Sequence, residues 1–449
     1  MINSLGLLKR RRFLPLFTTQ FMGAFNDNLF KTAMVLFATY QIFNDERQEG
    51  FFNALAAGIF VLPFFLLSAL AGQLADTTDK TRIIRVVKLA EIGIMAVGCA
   101  GLLLARTGAI TVPLGLMLLA VAGLGIHSTF FGPIKYAILP QHLDDEDVLG
   151  GTGLVEAGTY LSILLGTIVA GFIYKSTLLV AAVTLIVAFS GYLIAREIPP
   201  APRLGPELTL DWNPFHASWN LIGGTMHVPR LFLAICAISF FWTIGSVLII
   251  AFPPLVKNVL TADASVASLV LGIFSIGVAI GSLVINLLLR GTISARYSPA
   301  SVIAMGATVL VFWAVVRLWT PAPAGRLYGV GEFLSQAQAV PVLLALLMVA
   351  VFGGMFVVPL YAYLTTTVSK DQTARTVAAN NVVNSGAMTF GSAAVAGIMA
   401  AGVTASQLLL VVAGMCLVAA WIARKLDLAC SAYRLENEAV EAGEKGAEA

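Results

Sequence analysis

The chain has 449 residues, 58% of them hydrophobic and only 11% charged, with a mean hydropathy of +0.89. An aqueous fold of this length has no interior large enough to hide so much apolar surface, which excludes a soluble enzyme and points to a chain whose main solvent is lipid. The net charge of +3 gives no footprint for nucleic acid, and the informative quantity is where the charges sit.

The basic run Lys9, Arg10, Arg11 and Arg12 precedes an apolar stretch, as in a signal peptide. That stretch is too long and contains Asp27 and Lys31, so it reads as a retained first helix. Apolar runs near 13–43, 51–75, 83–105, 109–132, 148–174 and 177–195 predict six helices, each able to cross a hydrocarbon core of about 30 Å. Residues 196–228 hold Pro199, Pro200, Pro202, Pro206 and Pro214 and read as a cytoplasmic linker. Six more runs follow near 229–253, 265–289, 299–320, 340–363, 374–402 and 404–423. The expectation is an all-α integral membrane protein of twelve transmembrane helices: one six-helix bundle over 1–195 and a pseudo-symmetric second over 229–425. The acidic stretch 426–449 reads as a mobile cytoplasmic tail.

Orientation follows from the Lys and Arg count by alternate loops, taking the N-terminus as cytoplasmic. Of 27 such residues, twenty fall on the inner side, Lys31 lies inside a helix, and the outer side keeps Arg47, Arg106, Lys175, Lys257, Arg317 and Arg326. Both termini are therefore expected in the cytoplasm. The four cysteines, Cys99, Cys236, Cys416 and Cys430, show no paired spacing and suggest neither a disulfide framework nor a metal site. No Gly-rich phosphate loop is evident, which argues against an ATP-driven pump. Neither a cofactor nor enzymatic activity is expected.

The halves echo each other. FFGPIKYAIL (130–139) closes the fourth run and FVVPLYAYLT (356–365) the tenth, with 226 residues from Pro133 to Pro359, about half the chain. A similar offset relates LVEAGTYLSILLGTIVAG (154–171) to VVNSGAMTFGSAAVAG (382–397), whose small residues allow close helix packing. Two related bundles are expected to enclose a cavity at their interface.

Between the second and third runs the chain reads GQLADTTDKTR (72–82). This resembles the signature loop of the major facilitator superfamily at Gly72, Leu74, Asp76, Lys80 and Arg82, while Asp79 replaces the usual glycine. The resemblance implies a two-bundle transporter fold with Gly72, Asp76, Lys80 and Arg82 as a conformational gate; the alternative is a solvated positive-inside loop. The corresponding GSLVINLLLR (281–290) lacks the acid, so any such latch is one-sided.

QFMGAFNDNLFK (20–31), GPIKYAIL (132–139) and GLVEAGT (153–159) resemble segments of the bacterial lysophospholipid transporter family. That resemblance implies flipping of lysophospholipids, such as lysophosphatidylethanolamine, across the inner membrane to the cytoplasmic leaflet for reacylation. An acyltransferase is then an expected functional partner, and sodium or protons the expected coupling ion.

The residues themselves are compatible. Asp27 lies about 20 Å into the first helix at 1.5 Å per residue, and ionisable groups at such depth usually mark a substrate or ion pathway. Asn26 and Asn28 flank it, and Lys31 follows at i+4, either as a pathway residue or as a neutralising partner. Glu156 is a second candidate ligand for a head group or ion. Glu91 reads more simply as a partner of Lys88, and His127 as a structural histidine near a helix end. Lys135 is either a phosphate ligand or one more inner-side anchor. In the second half Asn380, Asn381 and Asn384 form the main polar cluster, with Asn384 at the repeat position of Glu156. The expected cavity is thus charged on its first wall and apolar on its second, which suits a single-chain lipid and also an amphipathic drug exported with a coupled cation. His142 and Asp147 in QHLDDED match the spacing of lipid acyltransferases, but a short acidic loop lacks the domain such catalysis needs.

Overall fold

The computed structural model of the protein describes residues 4–203, 211–289, 294–323, 325–366 and 370–447; the side chains of some helical residues, Asp76 and Glu156 among them, lie outside that description. Twelve helices of 19 residues or more follow one another among the described residues. The first six are α1 (Leu14–Phe37), α2 (Glu46–Thr77), α3 (Lys80–Leu104), α4 (Thr111–Ala137), α5 (Asp145–Ile173) and α6 (Thr177–Ala195). The second six are α7 (Pro229–Asn258), α8 (Ala264–Leu289), α9 (Ser298–Arg317), α10 (Ala339–Thr366), α11 (Lys370–Ala400) and α12 (Ala405–Ala447).

Ten of these are long and apolar enough to cross a membrane. The other two are α1, interrupted by Gln20, Asn26, Asp27, Asn28 and Lys31, and α5, of which Leu161–Ile173 forms a shorter apolar stretch. α1, with its polar interruptions, packs against α5.

Neighbour relations repeat with a step of six helices. In the first half α1 packs on α5 and α6, α2 on α4, and α3 on α4 and α6. In the second, α7 packs on α11 and α12, α8 on α10, and α9 on α10 and α12. Contacts across the halves obey the same relation, α2 with α11 and α5 with α8. Small residues make matching approaches possible: a Cβ on Gly125 of α4 would sit 2.3 Å from the Phe60 carbonyl oxygen of α2, and one on Gly354 of α10 would sit 2.3 Å from that of Val278 in α8.

Two stretches differ from the sequence expectation. The proline-rich linker contains a helix, Pro214–Met226, started by Asn213, whose side chain accepts from the Phe215 and His216 amides at 3.1 and 3.2 Å, with Pro214 in the first turn. Proline at that position begins a helix rather than breaking one. At the far end α12 continues to Ala447 without a break, because the acidic stretch is also rich in Ala and Glu, which favour helix. The end of α1 winds into a wider π-turn over Ala38–Ile42 before Phe43 turns extended.

Candidate functional site

In the first bundle, α1, α3 and α4 bring a set of ionisable groups together in the interior. Lys88 and Glu91 of α3 form a close ion pair, both side chains about fully buried at 1% and 0% exposure. Glu91 also accepts from Asn26 Nδ2 of α1 at 2.9 Å and lies 3.2 Å from Nε2 of His127 on α4. The Lys88 ammonium fits because Gly23 and Gly191 have no side chains there; a Cβ on either would stand 3.1–3.2 Å from Nζ. An unpaired ammonium at this depth would be costly, and the Glu91 carboxylate compensates it.

Asp27 is one residue further along α1 and turns toward α4, where Ser128 donates to its Oδ2 at 2.5 Å. Its other carboxylate oxygen is buried without a hydrogen-bond partner among the described residues. Lys31 does not close an ion pair with it; the ammonium stands 4.2 Å from the centroid of the Phe60 ring on α2, a cation–π contact. Asn28 turns back on its own helix, donating to the Ala24 carbonyl at 2.8 Å. The cluster 26–31 therefore divides: Asn26 toward α3, Asp27 toward α4 and Lys31 toward α2.

Nearer the C-terminal end of α4, Lys135 donates to Thr159 of α5 at 3.3 Å, and Thr159 donates to Gln20 of α1 at 2.9 Å. Gln20 in turn donates to the Val155 carbonyl at 3.2 Å. Lys135 thus stands within the α1–α4–α5 junction, beside the turn of α5 that carries Glu156.

The corresponding polar cluster of the second bundle is neutral. Asn384 of α11 accepts from Ser239 of α7 at 2.6 Å and donates to the Tyr361 hydroxyl of α10 at 3.4 Å, while Trp242 Nε1 donates to the same hydroxyl at 2.7 Å. Asn380 is fully buried, and its amide has no partner among the described residues.

Sequence reading missed a third cluster. Where α1 ends and α2 begins, Lys257 of α7 donates to Glu49 of α2 at 2.5 Å and to the Thr39 and Phe43 carbonyls at 2.5 and 2.8 Å. Asn258 donates to the second Glu49 oxygen at 2.6 Å, and Glu46 accepts from the Ala405 amide at 2.7 Å. These contacts tie the two halves together. By loop counting Lys257 is simply one outer cation, and no spacing links positions 49 and 257. His127 and Ser128 carried a faint signal as polar residues in an apolar run; α4 continues to Ala137, so they sit well inside the helix rather than at its end.

The loop between α2 and α3 explains its own departure from the expected pattern. Asp79 caps α3, accepting from the Thr81 and Arg82 amides at 2.8 and 3.3 Å. Thr81 donates to the Pro199 carbonyl at 2.6 Å, and Arg85 donates to the Arg196 and Ile198 carbonyls at 3.0 Å each, so the loop is stitched to the start of the linker. Lys80 is buried with its ammonium 3.0 Å from the Gln141 amide oxygen once that amide is oriented to satisfy both of its ends, Arg82 is exposed, and Gly72 has open space beside it. The Asp76 side chain lies outside the described residues.

His142 and Asp147 do not assemble as a catalytic pair. Asp147 is 2.7 Å from Arg10, and the His142 ring is buried near the backbone of Arg12, Pro199 and Pro200, where burial holds its pKa below the usual value.

The Major Facilitator Superfamily model matches residues 16–336. Curated relatives include the lysophospholipid transporter LplT of Escherichia coli (strain SE11), 29% identical over 356 residues, covering 77% of this chain and 78% of the relative. The protein of that name from Serratia proteamaculans (strain 568) is 26% identical over 367 residues, 80% of each. Among solved structures, a bacterial homologue of the iron transporter ferroportin in an inward-facing state aligns with a TM-score of 0.65 at 14% identity, over 92% of this chain and 99% of that one. A peptide transporter POT in complex with sulfate aligns at 0.66 and 13% identity, over 92% and 94%.

Proposed function

Because the chain belongs to the Major Facilitator Superfamily, and is accordingly a multi-pass membrane transporter, we propose that it flips lysophospholipids, such as lysophosphatidylethanolamine, from the outer to the cytoplasmic leaflet of the bacterial inner membrane by alternating access, with both termini in the cytoplasm. The observation that carries this reading is the contrast between the bundles: buried Asp27 with an unsatisfied oxygen in the first, neutral Asn384, Ser239 and Tyr361 in the second. A lipid with one acyl chain has a matching division between a charged head and an apolar tail. The names carried by the curated relatives support the same substrate class.

In this scheme Asp27, Asn26, Asn28, Glu156 and Lys135 serve the head group or a coupling ion, sodium or proton. Lys31 supports Asp27 electrostatically from above Phe60. In the same scheme the Lys257–Glu49 cluster holds the outer end closed during the inward-facing stage of the cycle. Gly72, Asp76, Lys80 and Arg82 form the opposing inner latch, hinged on the linker through Thr81 and Arg85. An acyltransferase on the cytoplasmic side would consume the delivered lipid.

The test uses purified protein in vesicles and a lysophospholipid labelled in the outer leaflet, with sodium and proton gradients imposed separately. Label should reach the inner leaflet chemically unchanged, and Asp27→Ala should abolish the movement while His142→Ala leaves it intact. A product bearing a second acyl chain, or export of unrelated drugs with no lipid movement, overturns the proposal.

A further inference from the structure

A groove runs down the lipid-facing side of the first bundle, between α2 and α4. Its lower part, about 440 Å³, is lined only by apolar side chains, among them Ile59, Leu62 and Leu66 of α2 and Leu119, Ala122 and Ile126 of α4. Its floor is the close contact of Gly125 with Phe60 and Pro63. Above it lies a second cavity of about 710 Å³, whose rim carries Asp45, Arg47, Gln48 and Thr111 over an apolar wall that includes Phe51 and Leu114. Leu118 lines both, so the two are continuous.

The two helices run parallel here, each starting at the outer end, and the groove follows them for about 20 Å at 1.5 Å per residue. That is more than one leaflet's half of a hydrocarbon core of about 30 Å. The trough between two adjacent parallel helices has the width of one chain. At its mouth a cation and an anion stand two residues apart: Arg47 is exposed, and Asp45 caps α2 by accepting from the Arg47 amide at 3.4 Å. This juxtaposition is complementary to a phosphate followed by an ammonium.

We propose that this groove is a docking site for a single-chain zwitterionic phospholipid in the outer leaflet, with the phosphate on Arg47, the ammonium on Asp45 and the acyl chain along α2 and α4. The site is separate from the Asp27 cluster, and its role as the collecting point for transport rests on the function proposed above. It matters because the outer end between the bundles is sealed by Lys257 and Glu49 in this state. A lipid held on the outside of the bundle is already selected, head uppermost, when that seal opens.

Gly115 provides the probe. It lines the mouth, and a Cβ there meets nothing within 4 Å, so a large side chain fills the groove without disturbing the helix. The experiment adds lysophosphatidylethanolamine carrying a photoreactive group in its acyl chain to the outside of vesicles containing the full-length protein, and maps the labelled peptides. Labelling is expected on 59–67 and 118–126, displaced by unlabelled lysophosphatidylethanolamine and not by the diacyl lipid. Gly115→Trp should lower both the labelling and the flipping rate by about tenfold, the loss of roughly 1.4 kcal/mol of binding, while Gly115→Ala stays near wild type. Arg47→Gln should weaken labelling by either ethanolamine or glycerol head groups; Asp45→Asn, which still caps the helix, should weaken only the ethanolamine lipid.

Equal labelling by a diacyl lipid with the same photoreactive chain overturns the proposal, since the groove would then hold ordinary boundary lipid. So does undiminished flipping in a Gly115→Trp protein whose groove no longer labels. Asp27→Ala separates the two ideas: loss of flipping with groove labelling retained supports both, whereas labelling in a wild-type protein that flips nothing keeps the docking site and removes the transport reading.

Discussion

The two bundles share their packing plan and differ in what they bury. The first holds Asp27, Lys88, Glu91 and His127 in its interior. In the second, the buried polar groups among the described residues, outside the outer seal, are neutral: asparagines, serines and Thr376. Matching helix neighbours show that the fold does not need charge at these positions, because the second bundle forms the same contacts without it. The charged seam of the first is therefore a property added to a common scaffold, and buried charge is a weak source of stability in its own right.

That comparison can be broken most directly at Glu91. Glu91→Gln leaves the Lys88 ammonium buried without its counter-charge, and we expect a loss of about 3–5 kcal/mol, read as a fall in the thermal unfolding midpoint in detergent. Adding Lys88→Met, with Glu91→Leu in place of the glutamine, should recover most of it. If the single variant unfolds like the wild type, the seam is open to water.

Transport should separate the walls. Asp27→Asn keeps the shape and the Ser128 contact, yet is expected to reduce lysophospholipid flipping by at least about tenfold, whereas Asn384→Ala on the neutral wall should cost about threefold, less than 1.4 kcal/mol. Equal losses would mean that the charge has no privileged role.

Between the bundles, Glu49→Gln weakens the cluster proposed to close the outer end while Lys257 keeps two carbonyl partners, a loss of about 1 kcal/mol. A cysteine placed at Tyr40, whose hydroxyl donates to the Ala262 carbonyl at 3.2 Å across the seal, should then react several-fold faster with an impermeant thiol reagent. An unchanged rate would show that the seal lies elsewhere.

The smallest effect is expected at His142. Burial lowers its pKa in the fold, so the unfolded chain binds the proton more readily and stability falls as pH drops below about 6.5. His142→Gln should flatten that dependence between neutral pH and pH 5, measured by thermal unfolding.

The long helices and the repeat were legible because hydropathy and the 226-residue offset are properties of the chain itself. The depth of Asp27 was legible for the same reason. What could not be read were partnerships across helices: Glu91 with His127, Asp27 with Ser128, Glu49 with Lys257. Those depend on which faces meet, and no local period encodes that. Asp79 is an intermediate case. It replaces the usual glycine of the loop pattern, and an aspartate just before a helix is also a cap signal. Pro214 is similar: one of five prolines of the linker in the sequence, it is the first residue of a helix in the fold.

The wide turn that ends α1 has a consequence for how the chain tolerates change. Two of the three oxygens that hold Lys257 are main-chain carbonyls, those of Thr39 and Phe43, and a carbonyl cannot be removed by exchanging a side chain. The hold on Lys257 therefore depends on the number of residues in 38–43 more than on their kind, although Thr39 and Tyr40 also bond to Asn53 and Ala262 through their side chains. Inserting or deleting a single residue there would rotate both oxygens away from the ammonium and unlock the outer end more thoroughly than a point substitution within the turn.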